Sequence, residues 1–158
     1  MSEKVTLCVY DLTQGMARGM SMALVGMQID AIYHTSICCY GVEYFFGGGI
    51  CREIPKMTPY GKPIEELPLG ETELPQELLE EYLTDISHKY TAEKYNLIEH
   101  NCNMFTNDIA EFLTGKGIDR KYVDQAKNLI ESPMGQMFKP MLMGLQGNIQ
   151  NPSPGAFK

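Results

Sequence analysis

The sequence predicts an α+β fold: a small antiparallel sheet or barrel with flanking helices. Three observations carry that expectation. Short, apolar, partly β-branched runs fill the first third of the chain. A stretch dense in proline and glycine follows. Amphipathic patterns at helical spacing occupy much of the remainder.

Taken in order, Val5–Leu12 reads as a strand. Thr13 can cap a short helix through Gly26, with Met16, Met20, Ala23 and Leu24 near helical spacing. Ala31–Tyr40 is a second strand, and Val42–Phe46 follows it after Gly41 as a tight hairpin. Gly47, Gly48 and Gly49 make a turn, and Ile50–Ile54 is one more strand of the same meander. From Pro55 to Gly70 the prolines and glycines predict an irregular loop. Glu73–Tyr90 then reads as a helix, with Pro75 near its start and a stripe of Leu78, Leu79, Tyr82, Leu83 and Ile86. Tyr95–Leu97 is a short extended connection. Asn101 caps a strong helix, Cys102–Thr114, whose core face is Phe105, Ile109, Phe112 and Leu113, and Gly115 stops it. A weaker helix spans Arg120–Ile130, and Pro133 and Pro140 break up what remains. One domain is expected over residues 4–143, with a disordered tail at 144–158.

Composition narrows the function classes. Hydrophobic residues make up 44 % of the chain, enough for a real core. A net charge of −7 argues against a nucleic-acid or anionic-membrane partner, which would need a cationic face. There is no apolar run long enough for a membrane span. Nor does the N-terminus read as a signal peptide. Five cysteines without a CxxC pair read as reduced thiols, not as a disulfide framework. No paired-ligand spacing points to zinc, and no cofactor is expected.

The string His100-Asn101-Cys102-Asn103 is where chemistry is concentrated. A cysteine in the first turn of a helix lies against the positive end of the macrodipole, where free backbone N–H groups point at it. Both effects favour the thiolate, which is the nucleophile. The alternative is a small buried core cysteine. A thiolate nucleophile needs an imidazole as its base. His88 lies late in an acidic helix and reads as solvated. His100 is too close in sequence to face Cys102 and reads as structural. His34 shares a strand face with Ser36, Cys38 and Tyr40, which could pack against the Cys102 helix; it is either a core histidine or a projecting base. Cys8, Cys38, Cys39 and Cys51 read as small buried apolar residues.

Three strings resemble a known family. VYDLTQGMARGMS at 9–21, IDAIYHTSICCYGVEYFFGGGI at 29–50 and YNLIEHNCNMFTNDIAEFLTG at 95–115 are similar to signatures of the PPPDE domain of the desumoylating isopeptidases, and LGETEL at 69–74 fits as well. The strings occur in the family's order from Val5 to about Pro133. The resemblance implies a permuted papain-like fold, in which the histidine strand precedes the cysteine helix. It implies a catalytic dyad of His34 and Cys102. Backbone N–H groups at Cys102 and Asn103 are the expected oxyanion donors, and Asn96, six residues before Cys102 at the spacing of a side-chain donor in papain-like enzymes, is either a second donor or a turn residue. It also implies hydrolysis of the bond between the C-terminal glycine of a ubiquitin-like modifier, SUMO or ubiquitin, and a substrate lysine. A homodimer in cytoplasm and nucleus is implied too. Gly47–Gly49 either let the modifier's tail approach closely or form a plain turn.

Two other readings stand beside this one. A thioesterase acting on S-acylated cysteine would use the same dyad. A non-catalytic adaptor that binds a modifier or exports a partner would use the stripe of Leu78, Leu79, Leu83 and Ile86, which reads first as a core face.

Overall fold

The computed structural model describes residues 2–19, 29–133 and 135–151. Five strands, β1 (Glu3–Asp11), β2 (Tyr33–Cys39), β3 (Val42–Gly47), β4 (Gly49–Glu53) and β5 (Glu65–Thr72), form one antiparallel sheet. Their order is β4-β3-β2-β1-β5. The meander runs as the alternating runs and glycine turns predict: Gly41 (φ 73°) turns β2 into β3, and Gly49 (φ 92°) turns β3 into β4.

β5 corrects the expected irregular loop. Its Leu67 and Leu69 alternate as half-buried residues, and the strand pairs with β1 from Glu3↔Thr72 to Val9↔Glu65. Pro68 and Gly70 are tolerated for two reasons. β5 lies at the sheet edge, where a missing N–H costs no ladder bond, and the register shifts at Val5/Thr6.

The helices are α1 (Gln76–Ile86), α2 (Cys102–Thr114), α3 (Arg120–Val123), α4 (Gln125–Glu131) and α5 (Lys139–Gln150). Residues 16–19 are helical, and residues 20–28 of the predicted early helix lie outside the described residues. In α1, Leu79, Leu83 and Ile86 are buried, so the leucine stripe is core and not a docking surface; Leu78 is exposed. α5 differs from the sequence expectation, because residues 144–150 are helical where a disordered tail is predicted. Pro140 sits in its first turn, where a proline costs no helical bond. Leu142 and Ile149, seven residues apart and so on one face, bury that face against the body. Residues 152–158 lie outside the described residues.

α2 packs across β2 and β3 and forms the centre of the molecule. Phe105, Ile109, Ala110 and Leu113 are buried under the sheet, while Phe112 is only partly buried, stacked on Tyr82 at 4.2 Å. Asn101 caps the helix as predicted: its Oδ1 accepts from the N–H groups of Asn103 (2.9 Å) and Met104 (3.1 Å). Gly115 ends it in the left-handed region, φ 80°. Among the described residues no helix is long and apolar enough to cross a membrane.

Candidate active site

Cys102 is the first residue of α2, and the cap directs its position. The Asn101 side chain also donates to the Leu97 carbonyl (2.9 Å), tying the helix start to the preceding turn. Asn103 Nδ2 donates to the Tyr33 carbonyl (3.0 Å), and Thr35 Oγ1 donates to Asn103 Oδ1 (2.7 Å). Thr106 Oγ1 donates to the Thr35 carbonyl (3.0 Å). These bonds lock the first turn of α2 against the start of β2.

Cys102 is wholly enclosed, and burial pushes its thiol up to about 11. The Tyr95 hydroxyl, 3.5 Å from Sγ, and the backbone N–H groups of Thr35, Asn103 and Cys102 itself act against that rise. Cys102 Sγ also lies 3.9 Å from Asn103 Oδ1, so the sulfur sits between the Tyr95 hydroxyl and the Asn103 side chain.

His34 is also wholly enclosed. Its ring stacks on Tyr60 with centroids 3.8 Å apart, and Tyr10 and Phe45 each stand 5.7 Å away. Neither ring nitrogen has a hydrogen-bond partner among the described residues. Burial holds the imidazole down at about 3, so it is neutral at pH 7.

The expected placement of His34 on the face that packs against α2 is corrected here. Thr35 makes the helix contacts, so strand alternation turns His34 to the opposite face. Among the described residues no hydrogen bond joins a His34 ring nitrogen to the Cys102 sulfur. Pairing of β2 with β3 stops at Ile37↔Tyr44, and the strands part towards His34. Tyr60 stacks on the His34 ring, and burial raises its hydroxyl well above the usual range.

Asn96 does not join the site. Its Oδ1 accepts from the N–H groups of Ile98 and Glu99, both at 3.0 Å, and it pairs with His100 in an isolated bridge. Its neighbour Tyr95 instead places its hydroxyl 3.5 Å from the Cys102 sulfur. Sequence reading missed Tyr95 and Tyr60; the only signal was that Tyr95 lies in the string 95–115. His100 is structural as expected: Nε2 lies 2.6 Å from the Lys89 carbonyl, and the ring stacks on Tyr90. His88 is exposed, also as expected.

A cysteine at a capped helix start, with a strand histidine that precedes it in the chain, is the order of elements in a permuted papain-like cysteine peptidase. The chain belongs to that class by descent, as a member of the PPPDE peptidase family: residues 3–143 match the family described as "PPPDE putative peptidase domain". Desumoylating isopeptidase 1 of Xenopus laevis is 38 % identical over 158 residues, covering 96 % of this chain and 94 % of the relative. Desumoylating isopeptidase 1 of Homo sapiens is 41 % identical over 144 residues, covering 90 % and 86 %. The DeSI-like protein sdu1 of Schizosaccharomyces pombe is 33 % identical over 126 residues, covering 73 % and 60 %.

Proposed function

We propose that this chain is a cysteine isopeptidase that releases a ubiquitin-like modifier, SUMO, from substrate lysines, with Cys102 as nucleophile and His34 as its base. One observation supports the choice of nucleophile: the Cys102 sulfur sits in the first turn of a capped helix, with the Tyr95 hydroxyl 3.5 Å away. The choice of modifier follows the relatives' names.

The enclosed state is a resting state, with a neutral thiol and a neutral imidazole. Neutral imidazole is the form that can accept a proton. When water or substrate enters, the His34 ring turns about its side-chain bonds, takes the Cys102 proton, and the thiolate attacks the carbonyl of the modifier's terminal glycine. The tetrahedral oxyanion is held by the N–H groups at the start of α2 and by the Tyr95 hydroxyl. His34 protonates the leaving lysine amine, then deprotonates the water that hydrolyses the thioester.

Entry requires α5 to move. A Cβ placed on Gly47 would stand 3.1 Å from Tyr60 Oη and 3.2 Å from Ile149 Cγ2, and one on Gly48 would stand 2.9 Å from the Gln150 carbonyl oxygen. The end of α5 therefore lies on the glycine turn beside Tyr60. Gln150 Nε2 donates to Ala92 O (2.9 Å) and Tyr95 O (3.3 Å), and Leu97 N–H donates to Gln146 Oε1 (2.9 Å). Glycines at 47 and 48 leave room for an extended strand, filled in the resting state by α5.

A SUMO-derived electrophilic probe tests the assignment, with a ubiquitin-derived probe in parallel. The wild-type chain forms an adduct at Cys102 with the SUMO probe and cleaves a SUMO–lysine conjugate; Cys102→Ala and His34→Ala do neither. Adduct formation at another cysteine, or cleavage by Cys102→Ala, would remove the dyad. Preference for the ubiquitin probe would change the modifier and keep the chemistry.

A further inference from the structure

On the sheet face away from α2, β1, β2 and β3 bring together three groups that the peptidase reaction does not use. Cys38 lies directly across from Glu43, and Cys8 directly across from Ser36, so Cys8 and Cys38 are diagonal neighbours on one face. Their sulfurs are 3.2 Å apart. The ligand atoms of Cys8, Cys38 and Glu43 all lie within 4.8 Å of one another.

Glu43 is the unusual member. It is wholly buried, and no lysine, arginine or histidine side chain pairs with it among the described residues. A buried carboxylate without a counter-charge is costly. Three neutral donors orient it: Tyr10 Oη (2.7 Å) and Ser36 Oγ (2.5 Å) to Oε2, and the Lys56 N–H (2.8 Å) to Oε1. Hydrogen-bonded carboxylates held in this way are the usual form of a ligating carboxylate.

We propose that Cys8, Cys38 and Glu43 form a binding site for one Zn2+ ion. A disulfide fits the register less well. Diagonal neighbours hold their Cβ atoms roughly 7 Å apart, against about 4 Å across a disulfide. An ion between the sulfurs suits that separation. Zinc–sulfur bonds of about 2.3 Å in a tetrahedral site set the two sulfurs roughly 3.8 Å apart, so they need to open by only about half an ångström. On binding, both thiol protons leave to solvent, two zinc–sulfur bonds and one zinc–oxygen bond form, and the fourth position takes water. Water reaches it past Cys38, the one half-buried member of the three. The site is invisible in sequence spacing because its ligands come from three strands; it does not depend on the isopeptidase assignment.

The test uses the reduced, metal-free full chain. Zn2+ is titrated in competition with a chromophoric chelator, and Co2+ serves as a spectroscopic substitute. The wild type takes up one equivalent at this site and shows a thiolate-to-cobalt charge-transfer band, and Zn2+ raises its Tm. Cys8→Ser with Cys38→Ser weakens binding at least 100-fold and removes the band. Glu43→Gln, close in shape, keeps the fold and weakens binding in the same direction. Ser36→Ala, which frees the carboxylate, weakens it about 10-fold. Cys102→Ser leaves affinity and band unchanged. Equal affinity in the double serine variant, absence of the thiolate band, or loss of binding in Cys102→Ser would each overturn the assignment.

Discussion

Acid should destabilise this protein through one side chain. The His34 imidazole titrates near 6.5 in the unfolded chain and near 3 in the folded one, because burial excludes its charged form. Above pH 6.5 the ring is neutral in both states and costs nothing. Below it the unfolded chain binds a proton that the folded chain refuses, so stability falls by about 1.4 kcal/mol per pH unit. Between pH 7.5 and pH 4 the loss from this group is about 3 kcal/mol, a large part of a typical 5–15 kcal/mol. Urea unfolding at pH 7.5, 6, 5 and 4 measures it, comparing the wild type with His34→Gln. The variant retains His88 and His100 and every carboxyl group, so the difference in slope isolates residue 34. The wild type should lose stability more steeply by about one proton's worth across the window. Parallel slopes would show that the ring carries its charge when folded, and would refute the enclosed, neutral resting state.

Three further outcomes follow from the same geometry. Cys102 alkylation should rise about tenfold per pH unit from pH 7 to pH 10, as expected for a thiol held near 11; a plateau around neutrality would show a preformed thiolate–imidazolium pair instead. Loosening α5 should expose the site: Ile149→Asp forfeits an apolar burial worth about 1.5–3 kcal/mol, and Gly48→Ala places a methyl 2.9 Å from the Gln150 carbonyl oxygen. Either change should speed Cys102 labelling by iodoacetamide about tenfold or more and raise SUMO-conjugate cleavage; unchanged labelling in both would mean that α5 does not control entry. Tyr95→Phe should lower kcat by about tenfold or more while leaving KM nearly unchanged, since the hydroxyl acts on the oxyanion; an effect on KM alone would make Tyr95 a packing residue.

Local patterns made much of the fold legible. Asn101 and Gly115 bracket α2 because capping is a property of adjacent residues. The Gly41 and Gly47–Gly49 turns follow from backbone freedom at those residues. β5 escaped notice because Pro68 and Gly70 oppose a strand, and only the edge position beside β1 makes them harmless. α5 escaped for a similar reason: its glycines lower helix propensity, and packing of Leu142 and Ile149 overrides them. In the site, Cys102 and His34 could be named as candidates, and of the two readings of Asn96 its hydrogen bonds fit the turn residue.

The sequence by itself determined the helix-start cysteine, its cap and the strand that carries His34, because each rests on neighbours within a few residues. Only the tertiary structure decided that His34 faces away from α2, that Tyr60 stacks on its ring, that the Tyr95 hydroxyl reaches the Cys102 sulfur, and that the end of α5 lies on the Gly47–Gly49 turn. Those relations depend on strand register and on contacts between segments far apart in the chain, and residue spacing along the chain carries no record of either.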